Sequence, residues 1–155
     1  MVRREMLRRV ELGAGISGAV LVLVGLVVLL LAPFQACRVT VPANGSCPAA
    51  DLYTTTLLRL NLPAGFWVYL AIVAGTLLVG AAGAIVEARL GRPRAALALW
   101  AGTILGFMAC AFTAGGTGIF FLPAVLANGL AAYASLLRRM RARRAAAASD
   151  EGASA

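Results

Sequence analysis

Cysteines and carboxylates are the residues of this chain best able to do chemistry, and their spacing restricts what that chemistry is. Cys37 and Cys47 bracket Pro42-Ala43-Asn44-Gly45-Ser46, a run of turn formers. In an oxidising compartment this spacing reads as a disulfide-closed hairpin, a local staple contributing about 2–3 kcal/mol through chain entropy. Cys110 stands by itself in Met108-Ala109-Cys110-Ala111-Phe112. A single thiol cannot cycle through an internal disulfide, so Cys110 reads as a small packing residue.

The six acidic residues are Glu5, Glu11, Asp51, Glu87, Asp150 and Glu151, and there is no histidine. Every acid lies outside the long apolar runs. Pumps and proton relays place ionisable groups within the membrane, so this distribution argues against proton-coupled transport and metal chemistry. No phosphate-cradling glycine loop and no nucleophile with an adjacent base is visible. The chain is therefore expected not to be an enzyme, and to carry no catalytic, cofactor-binding or metal-binding residues.

The elements that hold these residues follow from composition. The 155 residues are 61% hydrophobic and 13% charged, with a mean hydropathy of +0.89, whereas soluble domains are roughly half apolar and about a quarter charged. Both a soluble globule and a disordered chain are excluded. A helix needs about twenty apolar residues to cross a hydrocarbon core near 30 Å thick. Four runs qualify: Leu12–Ala32, Phe66–Val86, Ala95–Ala114 and Ile119–Leu137. The expectation is an all-α membrane protein, a four-transmembrane-helix bundle spanning residues 1–137, followed by a basic and then alanine-rich tail over 138–155. The tail beyond residue 144 should be poorly ordered or a frayed helical extension.

All fourteen basic residues are arginine. Twelve lie near the N-terminus, between the second and third runs, or after the fourth. The positive-inside rule makes those segments cytoplasmic, which gives a multi-pass protein of the cell membrane with both termini inside. A cleaved signal ending near Ala36-Cys37 is the alternative for the first run. That run is longer than a signal core, and its loss would put the arginine-rich tail outside. Phe34, Phe66, Trp67 and Tyr69 gather at the outer interface, with Trp100 and Tyr133 toward the inner one, as anchoring rings do. Pro123 falls in the first turns of the fourth span, where few backbone donors are lost.

The outer loop, residues 33–65, is the only connection long enough for a small folded element. Arg38-Val39-Thr40-Val41 and Leu58-Arg59-Leu60-Asn61-Leu62 alternate polar and apolar, so a short β-hairpin is one reading. An interfacial helix starting at Asp51 is the other reading of the second stretch. Asn44-Gly45-Ser46 matches the glycosylation pattern, but Asn-Gly is also the strongest turn dipeptide. The lysine-free, arginine- and alanine-rich composition suggests a bacterial source, which favours the turn.

Within the spans the polar groups are Ser17, Thr76, Thr103, Thr113, Asn128 and Ser135, which neighbouring helices or their own backbone can satisfy. Asn128, at mid-span, reads as interhelical glue, with contact to a ligand or quinone as the alternative. Glu87 is expected to form an interfacial ion pair with Arg89 and Arg92. In the third span Ala98, Gly102, Gly106, Cys110 and Ala114 repeat every four residues, a strip that permits close helix approach. It is expected to pack within the chain, or else against a second copy or a partner. Arg138, Arg139, Arg141, Arg143 and Arg144 are placed to contact anionic lipid, each contributing about 1 kcal/mol near a charged leaflet.

Two resemblances bear on function. A loop cysteine pair in a four-helix membrane protein is similar to the vitamin K epoxide reductase type of oxidoreductase, but the embedded Cys-x-x-Cys is here only Cys110. The layout of a long first outer loop, a short second one and both termini inside is similar to that of claudin-type tetraspan proteins. Their Gly-Leu-Trp loop signature is absent, so the similarity is one of topology. The expected role is that of an accessory or structural protein that binds membrane lipids and other membrane proteins, or a second copy, without cofactor or nucleic acid. A thiol–quinone redox enzyme or a small-solute carrier is the alternative.

Overall fold

The computed structural model describes residues 2–37, 52–112 and 117–153. It is mostly helical, with α1 (Val2–Leu31), α2 (Ala64–Leu90), α3 (Pro93–Phe112) and α4 (Leu122–Ala153). Each contains a stretch long and apolar enough to cross a membrane. Helix α4 opens with Pro123 in its first turn, after a 3-10 turn at Thr117–Phe121. It then continues through the arginines to Ala153. Arginine and alanine are both strong helix formers, so the chemistry that ends the apolar run does not end the helix.

Helices α2 and α3 are joined by Gly91 and Arg92 alone, which makes them antiparallel neighbours. Gly91 ends α2 in the left-handed region (φ 64°), and its N–H donates to Glu87 O at 2.9 Å. Pro93 then opens α3, at a position where the missing N–H costs little. The most extensive packing is α2 on α3, followed by α1 on α4 and α1 on α2; α3 and α4 touch less.

A two-stranded antiparallel sheet follows α1, with β1 (Phe34–Cys37) paired to β2 (Leu52–Thr55). Phe34 faces Thr55 and Cys37 faces Leu52 in the register. The expected hairpin is therefore present but shifted. The second strand is Leu-Tyr-Thr-Thr, rich in β-formers, whereas Leu57–Arg59 within the expected second strand forms a 3-10 turn. The interfacial-helix reading of this stretch is likewise replaced, because residues 52–55 are strand. The expected strand at 38–41, Cys47 and the Asn44 turn lie outside the described residues, so the Cys37–Cys47 bridge does too.

Buried positions recur every three or four residues on each helix and define one inner stripe apiece. That of α1 runs Glu11, Ala14, Gly18, Val22 and Leu29; that of α2 runs Leu70, Leu77, Ala81, Ala84 and Glu87; that of α4 runs Val125, Asn128, Ala132 and Ser135, with Phe121 of the preceding 3-10 turn continuing it. The opposite faces expose Val20, Leu23 and Val27 on α1, and Leu97, Ile104 and Phe107 on α3. Apolar residues outside and polar ones along the axis is the pattern that lipid, rather than water, imposes on a bundle.

Candidate functional site

The inner stripes bring charged residues together at the end of the bundle that carries both termini. Glu87 Oε1 accepts from Ser135 Oγ at 2.7 Å, from Arg138 Nη2 at 3.1 Å, and from Arg139 Nη2 and Nε at 2.8 and 3.0 Å. Arg138 Nη2 also lies 3.3 Å from Glu11 Oε1 and 3.1 Å from Glu11 Oε2, the latter out of line for a hydrogen bond. Both carboxylates are buried, whereas the Arg138 and Arg139 side chains retain 22% and 42% exposure. Two acids and two guanidiniums balance formally. Glu87 Oε2 and Arg138 Nε have no hydrogen-bond partner among the described residues.

This geometry revises two expectations. Glu87 pairs with α4 rather than with Arg89 and Arg92, because a residue two positions along a helix points to a different face and Arg92 lies beyond the helix end. Of the five tail arginines, Arg138 and Arg139 turn inward to the carboxylates, while Arg141, Arg143 and Arg144 are exposed. Arg8 reaches from α1 to the last turn of α2, donating to Ala88 O and Arg89 O, carbonyls that the helix itself leaves open.

Asn128 lies at mid-bundle, fully buried, with its Nδ2 donating to Leu77 O at 3.0 Å across to α2. Its Oδ1 has no partner among the described residues and sits against Gly18 of α1, where a methyl group would lie 2.5 Å away. Thr76 and Thr103 donate to carbonyls of their own helices, Val73 O and Leu99 O. Ser17 is exposed, and Thr113 lies outside the described residues.

The small-residue strip of α3 faces the bundle. Gly102 is so close to α2 that a methyl on it would lie 2.6 Å from Gly80 Cα and from Thr76 O. Gly106 meets the Leu77 side chain, Cys110 is buried in the apolar core, and Ala98 is half-buried; Ala114 lies outside the described residues. At the opposite end Tyr69 donates to Ala109 O at 3.3 Å, and the Phe66 and Trp67 rings meet edge-on at 5.6 Å.

The ionic cluster is the feature that the apolar runs concealed. Glu11 and Glu87 flank those runs, yet Glu11-Gly15-Gly18-Val22 and Gly80-Ala84-Glu87 keep helical spacing with the small inner residues. Extending the stripes by one turn places both acids inside. Chemically the cluster fastens α1, α2 and α4 and neutralises its own charges; among the described residues no group of three metal-ligating side chains converges. No protein family matches the chain, and no curated protein and no solved structure matches it either.

Proposed function

We propose that the chain is an integral membrane accessory or structural protein that works by binding lipids and other membrane proteins, with no catalytic step of its own. The observation that carries this reading is the filled axis. Phe121, Val125, Leu77, Asn128, Leu99 and Glu87 are each at most 4% exposed and succeed one another between the two ends of the bundle. A carrier needs a polar passage or a cavity at mid-membrane. Here the mid-bundle polar group, Asn128, is held by a backbone carbonyl and pressed against Gly18.

In this reading the arginine-rich end is cytoplasmic, the sheet lies outside, and Cys37 and Cys47 are bridged in the outer loop. The arginines Arg141, Arg143 and Arg144 remain to contact anionic lipid. Reconstitution of the full chain in sealed vesicles tests the non-conducting part. Proton and small-solute fluxes should match those of empty vesicles, and a flux that scales with the amount of chain would overturn it.

A further inference from the structure

We infer that the outer seam between α2 and α3 binds an anionic phospholipid, with Arg92 and Arg94 holding its phosphate and the seam holding one acyl chain. A groove of about 730 Å³ lies between these helices, walled by Val79, Gly83, Val86, Ala95 and Ala98, with both arginines at its mouth. Its inner limit, Val79, also borders a second groove of about 370 Å³ that passes Thr76, Gly75, Ile72 and Leu105. Sharing that residue, the two succeed one another as one line of grooves along the seam. From Val86 to Ala71 it covers about 22 Å along α2 at 1.5 Å per residue, more than half of a hydrocarbon core of about 30 Å.

Three features fit a phospholipid better than a protein helix. The walls below the arginines are almost wholly apolar, with glycine and alanine between the branched side chains, which suits a chain of methylenes. Arg92 and Arg94 are exposed, and among the described residues neither is in an ion pair. They also lie at the N-terminus of α3, whose dipole favours an anion at the same place. Arginine binds phosphate through a bidentate fork. Charge at the mouth and an apolar track below it is the order in which a phospholipid presents its own groups.

The inference rests on the membrane placement proposed above, and the experiment separates the two. The full chain is reconstituted in vesicles of equal phosphatidylcholine and phosphatidylglycerol, extracted in mild detergent, and its retained lipids are counted by native mass spectrometry. Phosphatidylglycerol should be retained in preference. The double variant Arg92→Gln/Arg94→Gln should reduce that preference about thirtyfold, taking each basic group near an anionic leaflet at its usual strength of about 1 kcal/mol. Ala82→Leu, which fills the groove from an exposed position, should reduce it without unfolding the bundle. Arg9→Gln/Arg59→Gln, an equal loss of charge at two exposed positions away from the seam, should leave it intact. Equal retention of both lipids, or a preference that survives the first double variant, overturns the inference. So does loss of a chain–chain or chain–partner complex on Ala82→Leu with lipid retention unchanged, because the groove then seats a helix. Failure of the chain to enter vesicles at all overturns the membrane placement instead.

Discussion

Glu11 of α1 and Glu87 of α2 meet on one nitrogen of α4, with Arg138 Nη2 3.1 Å from a carboxylate oxygen of each. Arg138 is thus shared between two helices, whereas Arg139 serves Glu87 alone. Removing one member of a buried ionic group leaves its partner's charge uncompensated. Arg138→Leu should therefore destabilise the bundle by about 3 kcal/mol. Arg139→Leu should cost about 1 kcal/mol, since that side chain is more exposed and Glu87 keeps its other donors. Reversible unfolding in mixed micelles, followed by circular dichroism, compares the two; equal losses would contradict the shared role of Arg138.

The contact between Gly18 and Asn128 gives a second prediction. Gly18→Ala forces a methyl against Asn128 Oδ1 and should cost about 1–3 kcal/mol, the usual range for overpacking. Asn128→Ala removes the bond to Leu77 O, at about 1 kcal/mol for an interhelical bond in a membrane. Because the second change clears the space that the first invades, the double variant should be less unstable than the sum of the two. Strict additivity would mean that the residues do not touch.

Glycines of α2 and α3 separate packing from mere tolerance. Gly102→Ala should destabilise by about 1–3 kcal/mol, since its new methyl meets Gly80 and the Thr76 carbonyl. Gly75→Ala, with nothing within 4 Å of the added carbon, should be neutral or slightly stabilising. The same unfolding measurement decides it, and equal behaviour of the two would place the α3 strip away from α2.

The four helices were legible because twenty apolar residues between arginines and glycine or proline leave few other structures. The cluster was less so, for a physical reason: a hydropathy run ends at the first charge, but a helix ends where its hydrogen bonds do. Glu11, Glu87 and Arg138 lie in the overhang between the two. Their inward direction is set by register with Gly15, Ala84 and Ser135 and not by local polarity. The loop sheet was legible in kind but misplaced, because alternation over five residues such as Leu58–Leu62 fits a 3-10 turn as readily as a strand. Tyr53 and the threonines at 54 and 55 carried the better signal in their β-branched and aromatic side chains.

Orientation and the loop bridge are tested together. Reporter fusions after residues 45 and 116 should report outside, and those after 91 and 145 inside; a reversed pattern would contradict the placement drawn from the arginines. In a non-reduced digest of the same protein, Cys37 and Cys47 should appear in one linked peptide pair and Cys110 as a free thiol. A bridge that includes Cys110 would instead support thiol–quinone chemistry.

The claim that this chain acts by binding is tested most directly by its mass as extracted from its own membrane in mild detergent without reductant. Native mass spectrometry should find the 15.9 kDa chain within a larger complex of fixed stoichiometry, with its interior free of small organic ligand. A stable monomer carrying a quinone that is reduced to the quinol as the Cys37 and Cys47 thiols close to a disulfide would contradict the account.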